Sequence, residues 1–195
     1  MKHFLALIIL MSTTGGNAMA DDTTTQKATF AAGCFWCLEK PFDDVDGVIE
    51  TISGYTGGRE ENPTYEQVAA GQTGHTEAMQ VTFNPDKVSY DELLNIFWHN
   101  VDPFDADGQF CDRGKQYRPG IFAHNEAQKQ AAEESKQQVE EELGKKTVVP
   151  VEDYTAFWPA ENYHQNYYQE NPLRYKFYRF SCGRDKRLNA IWDKQ

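Results

Sequence analysis

Positive charge is in short supply in this chain. Nineteen Lys and Arg stand against thirty Asp and Glu, for a formal net charge of −11 over 195 residues and an isoelectric point near 4.9. A surface of that sign is a poor match for a phosphate backbone, which argues against nucleic acid as a partner. Cysteine is scarce too, with only Cys34, Cys37, Cys111 and Cys182. One C-x-x-C pair with two isolated cysteines does not make the paired knuckles of a structural zinc site. Long apolar runs are missing beyond the first dozen residues, and a membrane span needs about 20. Internal repeats, low-complexity tracts and interdomain linkers are also lacking. Aromatic residues, by contrast, are abundant: 12 Phe, 10 Tyr and 4 Trp. That excludes a disordered or collagen-like chain, and the length suits one domain with its own core.

The first twenty residues have a composition of their own. Lys2 and His3 precede the apolar run Phe4 to Met11, and Ala18-Met19-Ala20 comes just before Asp21-Asp22. A basic start, a short apolar stretch and a small-x-small site read as a secretory signal peptide over 1–20. The expectation is an exported, periplasmic and soluble monomer, with a single domain over 21–195 and a core of about 27–182. In an oxidising compartment the plain reading of four cysteines is two structural disulfides, with three possible connectivities. A chain this long forms a core without staples, so redox chemistry stands beside that reading.

The pattern along the chain predicts a strand from Lys27 to Ala32 and a helix opening at Cys34 that Pro41 interrupts. Strands follow at about Val48 to Tyr55 and Glu77 to Phe83. Ser89 with Glu92 forms a capping box for a helix carrying Leu93, Leu94, Phe97, Trp98 and Val101. Residues 102–118 read as loop and Gly120 to His124 as strand. Asn125 caps a helix running to about Leu143, where Gly144 suits its end. Thr147 to Val151 reads as an edge strand, and the stretch from Arg174 to Arg187 is locally basic. The order strand, helix, strand, strand, helix, strand matches the split βαβ pattern. The predicted fold is therefore α+β: a two-layer sandwich with a ferredoxin-like core and an irregular C-terminal tail.

Three features carry chemistry. Cys34 sits where a strand turns into a helix, and helix-end amides favour the thiolate, so a lowered thiol pKa is expected. Cys37 lies one turn on, within disulfide reach, and Phe35 and Trp36 suggest an apolar pocket. Glu77 shares a strand face with Met79, Val81 and Phe83. A desolvated carboxyl there would be a proton donor near neutral pH; a carboxyl at the open strand end would simply reach water. The third feature is the irregular polar loop from Phe110 to Arg118. A structural Cys34–Cys37 disulfide, or a thioredoxin-like dithiol oxidoreductase using that pair, also accounts for the first feature, but neither gives a reason for Glu77.

Six stretches together resemble the type A peptide methionine sulfoxide reductases. They are Gly33-Cys34-Phe35-Trp36, Ser53 to Gly58, Asn62-Pro63-Thr64-Tyr65, Gly74 to Ala78, Asp112 to Arg118, and Tyr163-His164-Gln165 with Asn171-Pro172. The resemblance spans almost all of 27–182. It implies an α/β sandwich and the thiol-dependent reduction of methionine S-sulfoxide, protein-bound and free, with no metal or organic cofactor. Cys34 matches the nucleophile and Glu77 the acid that protonates the sulfoxide oxygen. Tyr55 and Tyr117 match tyrosines that hold that oxygen, Asp112 a supporting acid, and Phe35 and Trp36 the pocket for the methyl group. A second thiol would condense with the Cys34 sulfenic acid, and a thioredoxin-like dithiol would reduce the resulting disulfide. Cys37 stands where many members have Gly, Phe110-Cys111 where Gly-Asn is common, and Cys182 outside a long Gly-rich tail. Both Cys37 and Cys182 are thus candidate resolving thiols. Cys37 is expected to act first, because a short closed loop has the smaller entropic cost. Cys111 is expected to be a buried thiol without a role.

Overall fold

The computed structural model describes residues 24–193; the signal-like segment lies outside the described residues. The chain runs through β1 (Gln26–Ala31), α1 (Trp36–Asp43), β2 (Val48–Thr56), α2 (Tyr65–Ala69), β3 (Thr76–Phe83) and α3 (Tyr90–Trp98). It continues through β4 (Gly108–Gln109), β5 (Asp112–Arg113), β6 (Gly120–Ala123), α4 (Glu126–Leu143), β7 (Val151–Asp153) and β8 (Phe157–Pro159). Three helices close it: α5 (Tyr167–Glu170), α6 (Pro172–Ser181) and α7 (Arg184–Trp192). The fold is mixed α/β. Six strands make one sheet in the order β7-β6-β1-β3-β2-β8, while β4 and β5 form a separate two-stranded ribbon. Pairing is antiparallel except between β6 and β7.

Local chemistry explains most of the boundaries. Ser89 accepts from the Glu92 amide and the Glu92 side chain caps Ser89 in return, so α3 starts where the capping box indicates. Thr64 and Gln67 build a second capping box at α2, a helix absent from the predicted elements. The Asn125 side chain accepts from the Gln128 amide, and Gly144 ends α4 in the left-handed region at φ 65°. Val101 falls outside its expected helix, which stops at Trp98. The expected strand at 147–151 is displaced to Val151–Asp153. Pro150 offers only a carbonyl, which accepts from Ile121, and the ladder begins after it.

The sheet is covered on both faces. Phe30 lies between Phe42 and Phe97, with ring centroids 5.4 and 5.2 Å away, so β1 packs directly on α1 and α3. Ala31, Ala78 and Phe122 form a second buried cluster. The central strand β3 is accordingly buried at nearly every residue, and its sequence alternation does not mark a wet face.

The irregular C-terminal tail is overturned. Residues 172–192 are helical apart from a two-residue hinge at Cys182-Gly183. Pro172 takes the first helical position, where its missing N–H leaves no bond unmade. Gly183 at φ 65° then turns the chain into α7. Tyr175, Leu188, Ile191 and Arg184 are buried. Arg184 donates to the carbonyls of Ala32 and Asn100, so the basic stretch is partly internal and not simply a solvated surface. Pro41 does not break α1. Its ring deprives the Cys37 carbonyl of the usual helical donor, and Arg179 of α6 donates to that oxygen at 3.5 Å instead.

Candidate active site

Gly33 sets the turn between β1 and α1. Its φ is +80°, and a Cβ there would stand 2.5 Å from Cβ of Gln109 on the ribbon. Only glycine lets the start of α1 press against the β4–β5 ribbon. Cys34 follows, buried and 6% exposed. The next amide, of Phe35, donates to Oε2 of Glu77 at 3.1 Å. Glu77 thus reaches from β3 to the helix end that carries Cys34. Tyr55 is the cross-strand partner of Glu77 in the β2–β3 register, which sends both side chains to the same face.

Burial governs the titration of these groups. Glu77 is 1% exposed, and desolvation lifts its carboxyl to about 8 against the single opposing hydrogen bond from Phe35. The carboxyl is therefore mostly protonated near neutral pH, and the reading in which it reaches water does not hold. Burial also pushes the phenols of Tyr55 and Tyr117 up, and that of Tyr65 to about 12, each with help from the nearby Glu77 charge. All three remain O–H donors.

The expected lowering of the Cys34 thiol is reversed. Burial pushes it well up, joined by the Cys37 hydrogen bond and the charges of Glu77 and Asp112. Solvent exclusion and acidic neighbours outweigh the amides at the helix end. The more acidic thiol of the pair is Cys37, lowered to about 7 by its hydrogen bond with Cys34 and then, against burial, by the guanidinium groups of Arg184 and Arg179. Both thiols are free, which removes a preformed Cys34–Cys37 staple.

Asp112 lies on β5, with its carboxyl raised by burial against hydrogen bonds from Tyr178 of α6 and the Cys34 amide. An aromatic wall adjoins these groups, Tyr178 lying edge-on to Trp36 at 5.9 Å. The half-buried Trp36 donates through Nε1 to Nδ1 of His164 at 3.2 Å and stacks on Tyr167 at 3.6 Å and 4°. His164 also lies against Phe35 and Tyr65, at 5.0 and 4.3 Å between centroids. Glu161 accepts from the Tyr55 hydroxyl and the Tyr65 amide. Tyr65, Glu161 and His164 received no role from sequence reading. Tyr65 and His164 lay inside the motifs that carried the resemblance, and that was their only signal.

The remaining cysteines depart most from expectation. Cys111 is exposed and disulfide-bonded to Cys182, with Cα atoms 4.9 Å apart and a separation of 71 positions in sequence. The buried, idle thiol expected at Cys111 is corrected: the Phe110 backbone takes a left-handed turn at φ 56°, and the residue after it lies on the rim beside α6. Among the described residues, the only cluster with metal-ligand types in reach is Cys111, Asp112 and Cys182. Its two sulfurs are bonded to each other.

A buried thiol pair, a protonated carboxyl, phenolic O–H donors and an aromatic wall together define a thiol-dependent reductase. Such a site suits a substrate whose oxygen must be protonated before it leaves sulfur, and whose alkyl group needs an apolar surface. The family model for peptide methionine sulfoxide reductase matches residues 26–195. The chain belongs to that family, and to its type A branch. It is 52% identical over 167 residues to peptide methionine sulfoxide reductase MsrA 2 of Rhizobium meliloti, covering 86% of this chain and 83% of the relative. It is 50% identical to MsrA of Bacillus velezensis, covering 85% and 94%. The reduced form of Mxr1 from Saccharomyces cerevisiae superposes with a TM-score of 0.73 at 32% identity, covering 78% of this chain and 88% of that one. The chain is an oxidoreductase that reduces methionine sulfoxide.

Proposed function

We propose that this enzyme reduces the S epimer of methionine sulfoxide, in proteins and as the free amino acid, through a sulfenic acid at Cys34. The observation that carries the reading is the Glu77 carboxyl, protonated by burial and hydrogen-bonded to the helix end that bears Cys34. Cys34 sulfur attacks the sulfoxide sulfur. Glu77 delivers a proton to the sulfoxide oxygen; Tyr117 donates a hydrogen bond to it, and Tyr55 does so once its single O–H turns from Glu161 to the substrate. The oxygen passes to Cys34, methionine departs, and the proton released by the Cys34 thiol returns Glu77 to its acid form. Cys37 sulfur then attacks the sulfenic sulfur, water leaves, and a Cys34–Cys37 disulfide forms. Cys37 is favoured over Cys182 as first resolver because it is a free, acidified thiol three residues on, in the first turn of α1, while Cys182 is bonded to Cys111.

The two electrons consumed per cycle come from an external thioredoxin-like dithiol. A structure of Mxr1 with Trx2, 24% identical to this chain, supplies a precedent in that protein. The fold core is read as the split βαβ arrangement: β6-β1-β3-β2 is its strand order, with every pair antiparallel. Residues 1–20 are read as a signal peptide, which would put the mature monomer in the periplasm. N-terminal sequencing of the native protein tests export, and light scattering tests the monomer. The catalytic reading is tested by single-turnover reduction of the separated sulfoxide epimers, followed by peptide mapping of the thiols. Equal use of both epimers, or a Cys34–Cys182 link in place of Cys34–Cys37, would overturn it.

A further inference from the structure

Glu39 is a buried carboxylate that the reaction does not use. It lies on α1, one turn past Trp36, and is 1% exposed. Each oxygen is engaged: Oε1 accepts from the Ser53 hydroxyl at 3.1 Å and the Asn166 amide at 2.8 Å, and Oε2 accepts from the Tyr167 amide at 2.9 Å. One carboxylate therefore ties the nucleophile's helix to β2 and to the segment that carries His164 and Tyr167. Asn166 holds a left-handed conformation at φ 50°, uncommon for a residue with a Cβ, though Asn is among those that adopt it most readily. The neighbouring residue Gln165 brackets Ser53 as well, accepting from its amide and donating to its carbonyl, both at 2.9 Å.

We propose that Glu39 is a positioning residue for substrate recognition: it fixes the 164–167 segment so that His164 and Tyr167 hold the Trp36 indole as the wall of the substrate's alkyl pocket. The chain of contacts is continuous. Glu39 orders the amides of Asn166 and Tyr167; Tyr167 stacks flat on Trp36; and His164, two residues before Asn166, accepts from the indole N–H. Burial lifts the Glu39 carboxyl to about 7, the penalty being reduced by the same three hydrogen bonds. In its ionised form a carboxylate is the only side chain of that size that offers acceptors alone to three converging donors.

The inference rests on the reading of Trp36 as the pocket wall, and the test separates the two. Glu39→Gln keeps the shape but turns an N–H₂ group toward a donor. The expected result is a KM for a methionine sulfoxide peptide raised about tenfold, as befits one or two lost charge-assisted hydrogen bonds, with kcat nearly unchanged. The preference for methyl over ethyl sulfoxide, as the ratio of kcat/KM values, should shrink in parallel. Glu39→Asp should restore part of both. Should Glu39→Gln fail to fold, Ser53→Ala removes one donor from the same carboxylate and should raise KM by about two- to fivefold. Trp36→Ala is the control for the pocket. If Trp36→Ala abolishes the methyl preference and Glu39→Gln, or Ser53→Ala in its place, leaves KM and the preference at wild-type values, the role of Glu39 is wrong. If Trp36→Ala leaves the preference intact, the pocket reading falls, and this inference with it.

Discussion

Replacing Glu77 by Gln sets function against stability. In the folded protein the carboxyl titrates at about 8, compared with an ordinary value of 4.5. Below pH 4.5 both folded and unfolded chains hold the proton, so burying the group carries no ionisation penalty. Between that pH and 8 the unfolded chain ionises while the folded one does not, and stability is lost as pH rises. The loss is about 1.4 kcal/mol per pH unit, or about 5 kcal/mol once both states are ionised. Glutamine has no proton to lose, and its oxygen still accepts from the Phe35 amide. The variant should lie within about 1 kcal/mol of the wild type at pH 5 and be more stable at pH 9. At roughly 2–4 °C per kcal/mol for a chain of this size, the gap in Tm at pH 9 approaches about 10 °C or more. Activity should move the other way. At pH 7 about nine-tenths of the Glu77 carboxyls are protonated, against under about 1% for an ordinary one. Losing this acid should slow the sulfoxide step by about 10²–10⁴-fold. Thermal melts of both proteins from pH 5 to 9, with single-turnover rates at pH 7, make the measurement. Glu39, also raised, tilts both stability curves alike, so their difference isolates Glu77. Parallel curves, or an unchanged turnover rate, would refute the account.

Cys34→Ser should abolish turnover while leaving the melting temperature near wild type, since the site is small and the substitution conservative; appreciable residual reduction would move the nucleophile elsewhere. Opening the Cys111–Cys182 bond with the Cys111→Ser/Cys182→Ser pair frees a loop of 71 residues' separation, worth up to about 4 kcal/mol in chain entropy, so denaturant melts should shift strongly downward. That double variant should still form one Cys34–Cys37 disulfide per turnover, read by mass spectrometry; accumulation of a stable sulfenic acid would make Cys182 the resolver. Gly33→Ala should be destabilised by more than about 1 kcal/mol, because it adds left-handed strain and a contact with Gln109, and a neutral melt would contradict the packing of the ribbon on α1.

What the sequence determined by itself is what neighbouring residues settle. Capping by Ser89 with Glu92, by Asn125, and by Gly144 at the far end of α4 involves contacts within a turn, and these boundaries fell where the residues indicated. The motif at Gly33-Cys34-Phe35-Trp36 and the core-facing register of Glu77 were legible for the same reason: a strand–helix junction and a period of two are local patterns. Contacts that join distant segments were decided only by tertiary structure. The Phe35 amide and Glu77 are 42 residues apart, Trp36 and His164 are 128, and Cys111 and Cys182 are 71. No local pattern could pair the last two or show that the basic C-terminal stretch would fold into helices with Arg184 buried. The order of the two thiols in acidity belongs here as well. The helix end alone favours a thiolate at Cys34. Burial, with Glu77 and Asp112 beside Cys34 and Arg179 and Arg184 beside Cys37, moves that preference to Cys37. Those groups come from four different parts of the chain, and only folding brings their fields to one place.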